Sequence, residues 1–118
     1  MTAHRVLTDL YGANNDILDP GSSGVIRPRK DRAYVPLVTS GAETRTLPDP
    51  EVAGKQVTLG FKTDGGNCVI TASTAINQSG NTIMTLADAG DEITLRSIEK
   101  GANHVWRVVS NDGVALSS

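Results

Sequence analysis

Few side chains in this 118-residue chain are of the types that do chemistry, and their spacing limits what each can be. The two histidines, His4 and His104, lie far apart, and neither sits in an H-x-x-H or H-x-E pattern that would place two ligands on one metal ion. They read as surface or partner contacts. Cys68 is the single cysteine, so no intramolecular disulfide can form. It falls inside an apolar strand pattern with no histidine beside it, which predicts a buried, inert thiol rather than a nucleophile. Asp88, Asp91 and Glu92 suggest calcium, yet their spacing does not reproduce an EF-hand ligand ladder, and acidic residues suit a β-turn without any metal. Thr63-Asp64-Gly65-Gly66-Asn67 is glycine-rich, but no strand-to-helix transition follows that would aim backbone amides at phosphate. A hairpin turn accounts for it. The reading therefore nominates no catalytic residue, no metal ligand and no cofactor, and the expectation is that the protein is not an enzyme.

The one charged constellation is Arg27, Arg29, Lys30 and Arg32, four of the eleven basic residues within six positions. An anion-binding patch is one reading. Against it, Asp31 interrupts the cluster and no aromatic residue is interleaved to stack on bases. A solvated basic face, or ion pairs to a neighbouring acidic body, fits better, and these four residues are nominated for partner contact. Formal charge is −2 overall. Residues 1–48 carry six basic and five acidic side chains, and residues 49–118 five basic and eight acidic, so the sign changes mildly along the chain. Nothing here points to a nucleic acid or to a membrane as partner. No apolar run approaches the roughly 20 residues that span a bilayer, and the first residues lack the apolar core of a secretory signal, so a soluble protein is expected.

The elements that must position these residues are short strands. Residues 1–31 hold no sustained period of 2 or 3.6 and are broken by glycine and proline. They read as an extended arm, either a flexible tail or a segment that orders against a partner, with a short strand over Arg5–Leu10 and a turn at Asp19-Pro20-Gly21. Strands are predicted near Tyr34–Thr39 and Glu43–Leu47 around a Ser40-Gly41 turn; Pro36 lacks a ladder donor and places the first at an edge or a subunit contact. Leu47 to Glu51 is a proline-stiffened connector, and a short helical turn near Pro50–Ala53 is the only helical candidate. Lys55–Thr63 alternates, with Val57, Leu59 and Phe61 on one face. Asn67–Thr74 reads as its hairpin partner, with Cys68, Ile70 and Ala72 facing the core. Thr82–Leu86, Glu92–Ile98 and His104–Ser110 follow, with a bulge expected near Ile98 because it leaves the phase of Ile93 and Leu95. Asn111-Asp112-Gly113 is a type I′ turn signal before a short apolar coda, Val114–Leu116. The pattern predicts an all-β fold, a small sandwich or barrel of short antiparallel strands, with residues 1–47 as extended arm and edge strands and 48–118 as the body. Aromatics make up only 3% of the chain, so the core, centred on Val57, Leu59, Phe61 and Trp106, is thin and gains from association with further copies.

Asp88-Ala89-Gly90-Asp91-Glu92-Ile93-Thr94-Leu95-Arg96-Ser97, then Gly101, then Trp106-Arg107-Val108, resembles a closing pattern of small bacteriophage virion proteins. These include capsid decoration (cement) proteins and β-rich modules of head and tail fibres. The resemblance is close over about 20 residues and loose over 55–116. It implies a homotrimeric virion structural protein, located on the outer capsid surface and partnered by itself and the major capsid protein. Its N-terminal portion would lie along the shell. The alternatives are a head-fibre or tail-fibre module that recognises a host surface, and a small glycan-binding β domain. A buried Trp106 ring fits the cement reading and an exposed one a carbohydrate platform.

Overall fold

The computed structural model describes residues 16–118, so the strand expected over Arg5–Leu10 lies outside the described residues. Nine strands form two mixed sheets, and no helix occurs among the described residues. They are β1 (Gly24–Val25), β2 (Arg32–Val38), β3 (Glu43–Leu47), β4 (Gln56–Thr63), β5 (Cys68–Ala72), β6 (Ile83–Leu86), β7 (Glu92–Lys100), β8 (Asn103–Asp112) and β9 (Ala115–Ser117). One sheet has the order β1-β3-β5-β6-β9 and the other β2-β4-β7-β8. The protein is all-β.

The strands are not all antiparallel as the sequence suggested. From β1 to β5 the chain changes sheet at every step, so β1, β3 and β5 stack in parallel in one sheet and β2 and β4 in the other. Ala33 lies beside Val57 and Leu37 beside Phe61, a step of 24 residues; Thr44 lies beside Val69, a step of 25. The chain thus winds as flat coils before the antiparallel strands complete each sheet, β6 and β9 on β5, β7 and β8 on β4.

The expected β4–β5 hairpin is therefore corrected: the two strands face each other across the core. Val57, Leu59 and Phe61 point inward from one sheet, and Cys68, Ile70 and Ala72 from the other. The Asp64–Asn67 turn is a corner lying on the preceding corner at 39–42. Buried Thr39 joins them, its Oγ1 donating to the Gly66 carbonyl at 2.6 Å and accepting from the Gly65 amide at 3.0 Å. A Cβ on Gly65 would collide with the Thr39 carbonyl, so glycine is what lets the two corners stack so closely.

Three smaller expectations also change. Ile98 keeps the outward phase of β7 and pairs regularly with Val105; the irregularity sits in β8 opposite Thr94 and Leu95, where Thr94 pairs with Ser110 but Leu95 with Val108 and exposed Val109 is extruded. Asn111-Asp112-Gly113 makes no hairpin: the chain crosses to the other sheet, and the Asn111 side chain brackets Val114 through its amide and carbonyl. Residues 51–54 form a bend rather than a helical turn, tied down by the Gly54 amide on the Ser97 carbonyl.

Pro36 lies in an edge strand. On the outer side of β2, the Tyr34 carbonyl accepts from the Ile17 amide at 2.7 Å and the Val38 amide donates to Asp19 Oδ2 at 2.9 Å. Pro36 falls between them, where no donor is required. Within segment 1–47, β1 and β2 are edge strands and β3 is interior. Ala33, Val35, Leu37 and Leu47 are buried in the same core cluster as Val57, Leu59, Phe61 and Trp106, so the described part of that segment shares one core with 48–118.

Candidate partner-binding groove and basic face

The connector from β1 to β2 carries Arg27, Arg29 and Lys30 of the basic cluster and leads into Arg32, the first residue of β2, and the β3–β4 connector runs beside it on the adjacent coil. Two backbone bonds hold the pair together: the Ile26 amide donates to the Thr46 carbonyl and the Gln56 amide to the Asp31 carbonyl, each at 2.8 Å. Between the connectors lies an open groove of about 610 Å3. Arg27, Pro28 and Arg29 line it on one side; Pro48, Asp49, Pro50, Glu51 and Lys55 line the other. Ile26 and Trp106 form the floor.

Trp106 is 2% exposed, and its Nε1–H donates to the Pro48 carbonyl at 2.9 Å. A buried indole that spends its single donor on the rim fixes the proline connector and offers almost no ring face to solvent. Arg27, Arg29 and Arg32 are exposed and Lys30 is half-exposed. Arg27 and Arg29 reach the groove, whereas Lys30 and Arg32 lie outside its lining. None of the four makes an ion pair among the described residues, since both ion pairs found there belong to Arg45. Among the described residues, the basic cluster is a solvated face. Asp49, although on the opposite wall, is engaged by the Thr74 hydroxyl at 2.8 Å.

The most charged buried feature went unnoticed in the sequence. Arg45, on β3, has a fully buried side chain that meets Asp19 through Nε on Oδ1 at 2.8 Å and Nη2 on Oδ2 at 3.0 Å. Nη2 also donates to Glu43 Oε1 at 2.9 Å and to the Val38 carbonyl at 3.1 Å. The signal was available: Arg45 shares the inward phase of Leu47, two residues on. Burial pushes the Asp19 carboxyl up, but hydrogen bonds from Arg45 and from the Val38 and Gly21 amides outweigh it and leave the group below the usual carboxylate range. The Ser40 amide and Arg45 lower Glu43 in the same way, and the Asp19 partnership holds Arg45 still more firmly protonated. Burial raises the Cys68 thiol, which fits an inert sulfur.

Asp91 closes its turn by accepting the Ala87 and Asp88 amides on Oδ2, so that carboxylate is engaged by backbone rather than offered to a cation. His104 is half-buried and pairs with Glu99 across β7 and β8, and His4 lies outside the described residues. No family model and no curated protein matches the chain.

Proposed function

We propose that the chain is a virion structural protein, a decoration protein that binds the outer surface of a phage head as a homotrimer and stabilises it through contact with the major capsid protein. The observation that supports this most is the basic corner: Arg27, Arg29 and Lys30 in the β1–β2 connector and Arg32 at the start of β2, none with an ion-pair partner among the described residues, stand beside a groove walled by prolines. A rigid corner of this kind loses little conformational entropy when it docks, because the backbone is already fixed by the neighbouring coil. Buried Trp106 belongs with this reading rather than with a glycan platform, which needs an exposed ring to stack on a sugar. Three copies around a symmetry axis would multiply a weak corner contact through effective concentration.

The test is co-sedimentation of the purified protein with undecorated phage shells, wild type against R27E/R29E. The wild type is expected to pellet with shells and the double variant to remain in the supernatant while keeping its fold and its mass by light scattering. Equal pelleting of both, or pelleting of neither, would refute the assignment of the corner to shell binding.

A further inference from the structure

The outer face of the β2-β4-β7-β8 sheet is charged at both ends, with opposite signs. At one end the register places Arg32 beside Gln56, Gln56 beside Arg96, and Arg96 beside Arg107. Their neighbours Ala33, Val57, Leu95 and Trp106 are core residues, so this row projects outward, spanning about 14 Å over three strand spacings. Arg107 is held at the end of the row by its Nη1, which donates to the Ala75 carbonyl at 2.8 Å. At the other end Glu92 lies beside Asp112, and Asp88 sits in the turn that leads into β7; exposed Lys62, two residues beyond the Gly60 that pairs with Glu92, is on the same face, so the acidic patch is confined to the β7–β8 side. Along β7 the two rows are four residues apart, about 13 Å. The strip between them is neutral, with Tyr34 beside Thr58 and the Thr58 and Thr94 hydroxyls bonded at 2.9 Å.

Both rows set like charges directly against each other, Arg96 on Arg107 and Glu92 on Asp112, which destabilises a sheet unless something outside neutralises them. Among the described residues nothing does so, because none of these charges makes an ion pair there. Within that part of the chain each row is uncompensated, and each carries the charge that the other lacks.

We propose that the two ends of this face are the two halves of a single contact between copies of this chain, the arginine row of one copy seating against Glu92, Asp112 and Asp88 of the next. It rests on the self-association in the reading above and not on shell binding. The contact is heterologous, joining different patches on the two partners, so successive copies close into a ring when the rotation permits and otherwise continue as a string. Its charges also explain how copies find their register, since a sliding or inverted approach sets like sign against like.

Two charge-reversal variants test it, R32E/R96E, which leaves the chain acidic at both ends, and E92K/D112K, which leaves it basic at both. All four positions are exposed, and R96E removes a like-charge opposition, so folding is not at risk. Sedimentation velocity at low ionic strength should show the wild type associated, with the association weakening as salt rises. Each variant alone should associate more than tenfold less tightly, because like charges then meet across the contact. An equimolar mixture of the two should recover species larger than a monomer. Variants that keep the wild-type mass, or a mixture that stays monomeric, overturn the charged-end contact while leaving self-association by another surface standing. A wild-type monomer that still pellets with shells overturns this contact and the trimer but not shell binding. A wild-type monomer retained by heparin through these arginines overturns it in favour of an anionic ligand.

Discussion

Removing the carboxylate of Asp19 should be among the most damaging single changes outside the apolar core. In D19A, Arg45 loses the bonds at 2.8 and 3.0 Å that Asp19 supplies, and the Val38 and Gly21 amides lose their acceptor. Breaking a buried pair by deleting one member costs about 3–5 kcal/mol, because the other charge is stranded. Here Asp19 retains 14% side-chain exposure and Glu43 remains on Nη2, so about 2–3 kcal/mol is expected after allowance for solvent screening. For a chain of this length that corresponds to a fall in Tm of roughly 10 °C. R45M should cost less than D19A, since the two carboxylates that it strands, Asp19 and Glu43, are partly exposed and keep amide donors, whereas D19A leaves a fully buried guanidinium with Glu43 as its one remaining carboxylate. Urea titration of D19A, R45M and the double variant measures both costs and the coupling. A D19A protein within about 0.5 kcal/mol of wild type, a figure typical of surface changes, or one more stable than R45M, would refute the argument. The pH dependence has a fixed sign. Because the folded carboxyl titrates below the unfolded one, its contribution is complete above about pH 5 and lost as the pH falls below about 4, and D19A should show a flatter acid limb than wild type.

Gly65→Ala forces a methyl into the Thr39 carbonyl of the underlying corner and should cost about 1–3 kcal/mol in chemical denaturation, more than the same change at Gly41, where a Cβ meets open space. W106F keeps most of the floor of the groove but leaves the Pro48 carbonyl without its donor; a loss of about 1–2 kcal/mol is expected, and wild-type fluorescence should be blue-shifted because the indole is buried. Deleting residues 1–47 removes β1, β2 and β3 together with buried Val35, Leu37 and Leu47, so the remainder should give a collapsed amide spectrum by NMR rather than a folded body.

The strand positions were legible because each short run shows one apolar face: Val57, Leu59 and Phe61, or Cys68, Ile70 and Ala72, recur at every second position. What alternation does not carry is which strand lies beside which. A turn such as Asp64-Gly65-Gly66-Asn67 has the composition of a hairpin, and only its stacking on Thr39–Gly41 shows that it passes the chain to the opposite sheet. Pairing is a longer-range property: β2 and β3 lie beside β4 and β5, 24 to 25 residues on, a comparison that a strand-by-strand reading does not make. The basic connector was legible from composition alone. Its groove was not, since the opposite wall comes from residues 48–55 and the floor from Trp106. Arg45 was hidden by the habit of assigning arginine to the surface, although its phase with Leu47 already placed it inside.

The winding of β1 to β5 gives the molecule an adjustable thickness. Because each coil adds one strand to each sheet and its inward residues land on those of the coil before, a duplication or loss of some 24 residues leaves both terminal surfaces intact. Such an event would shift the basic corner relative to the antiparallel end by one strand spacing, about 4.8 Å. The fold can therefore change the distance between its two ends in discrete increments, leaving the residues of both unaltered.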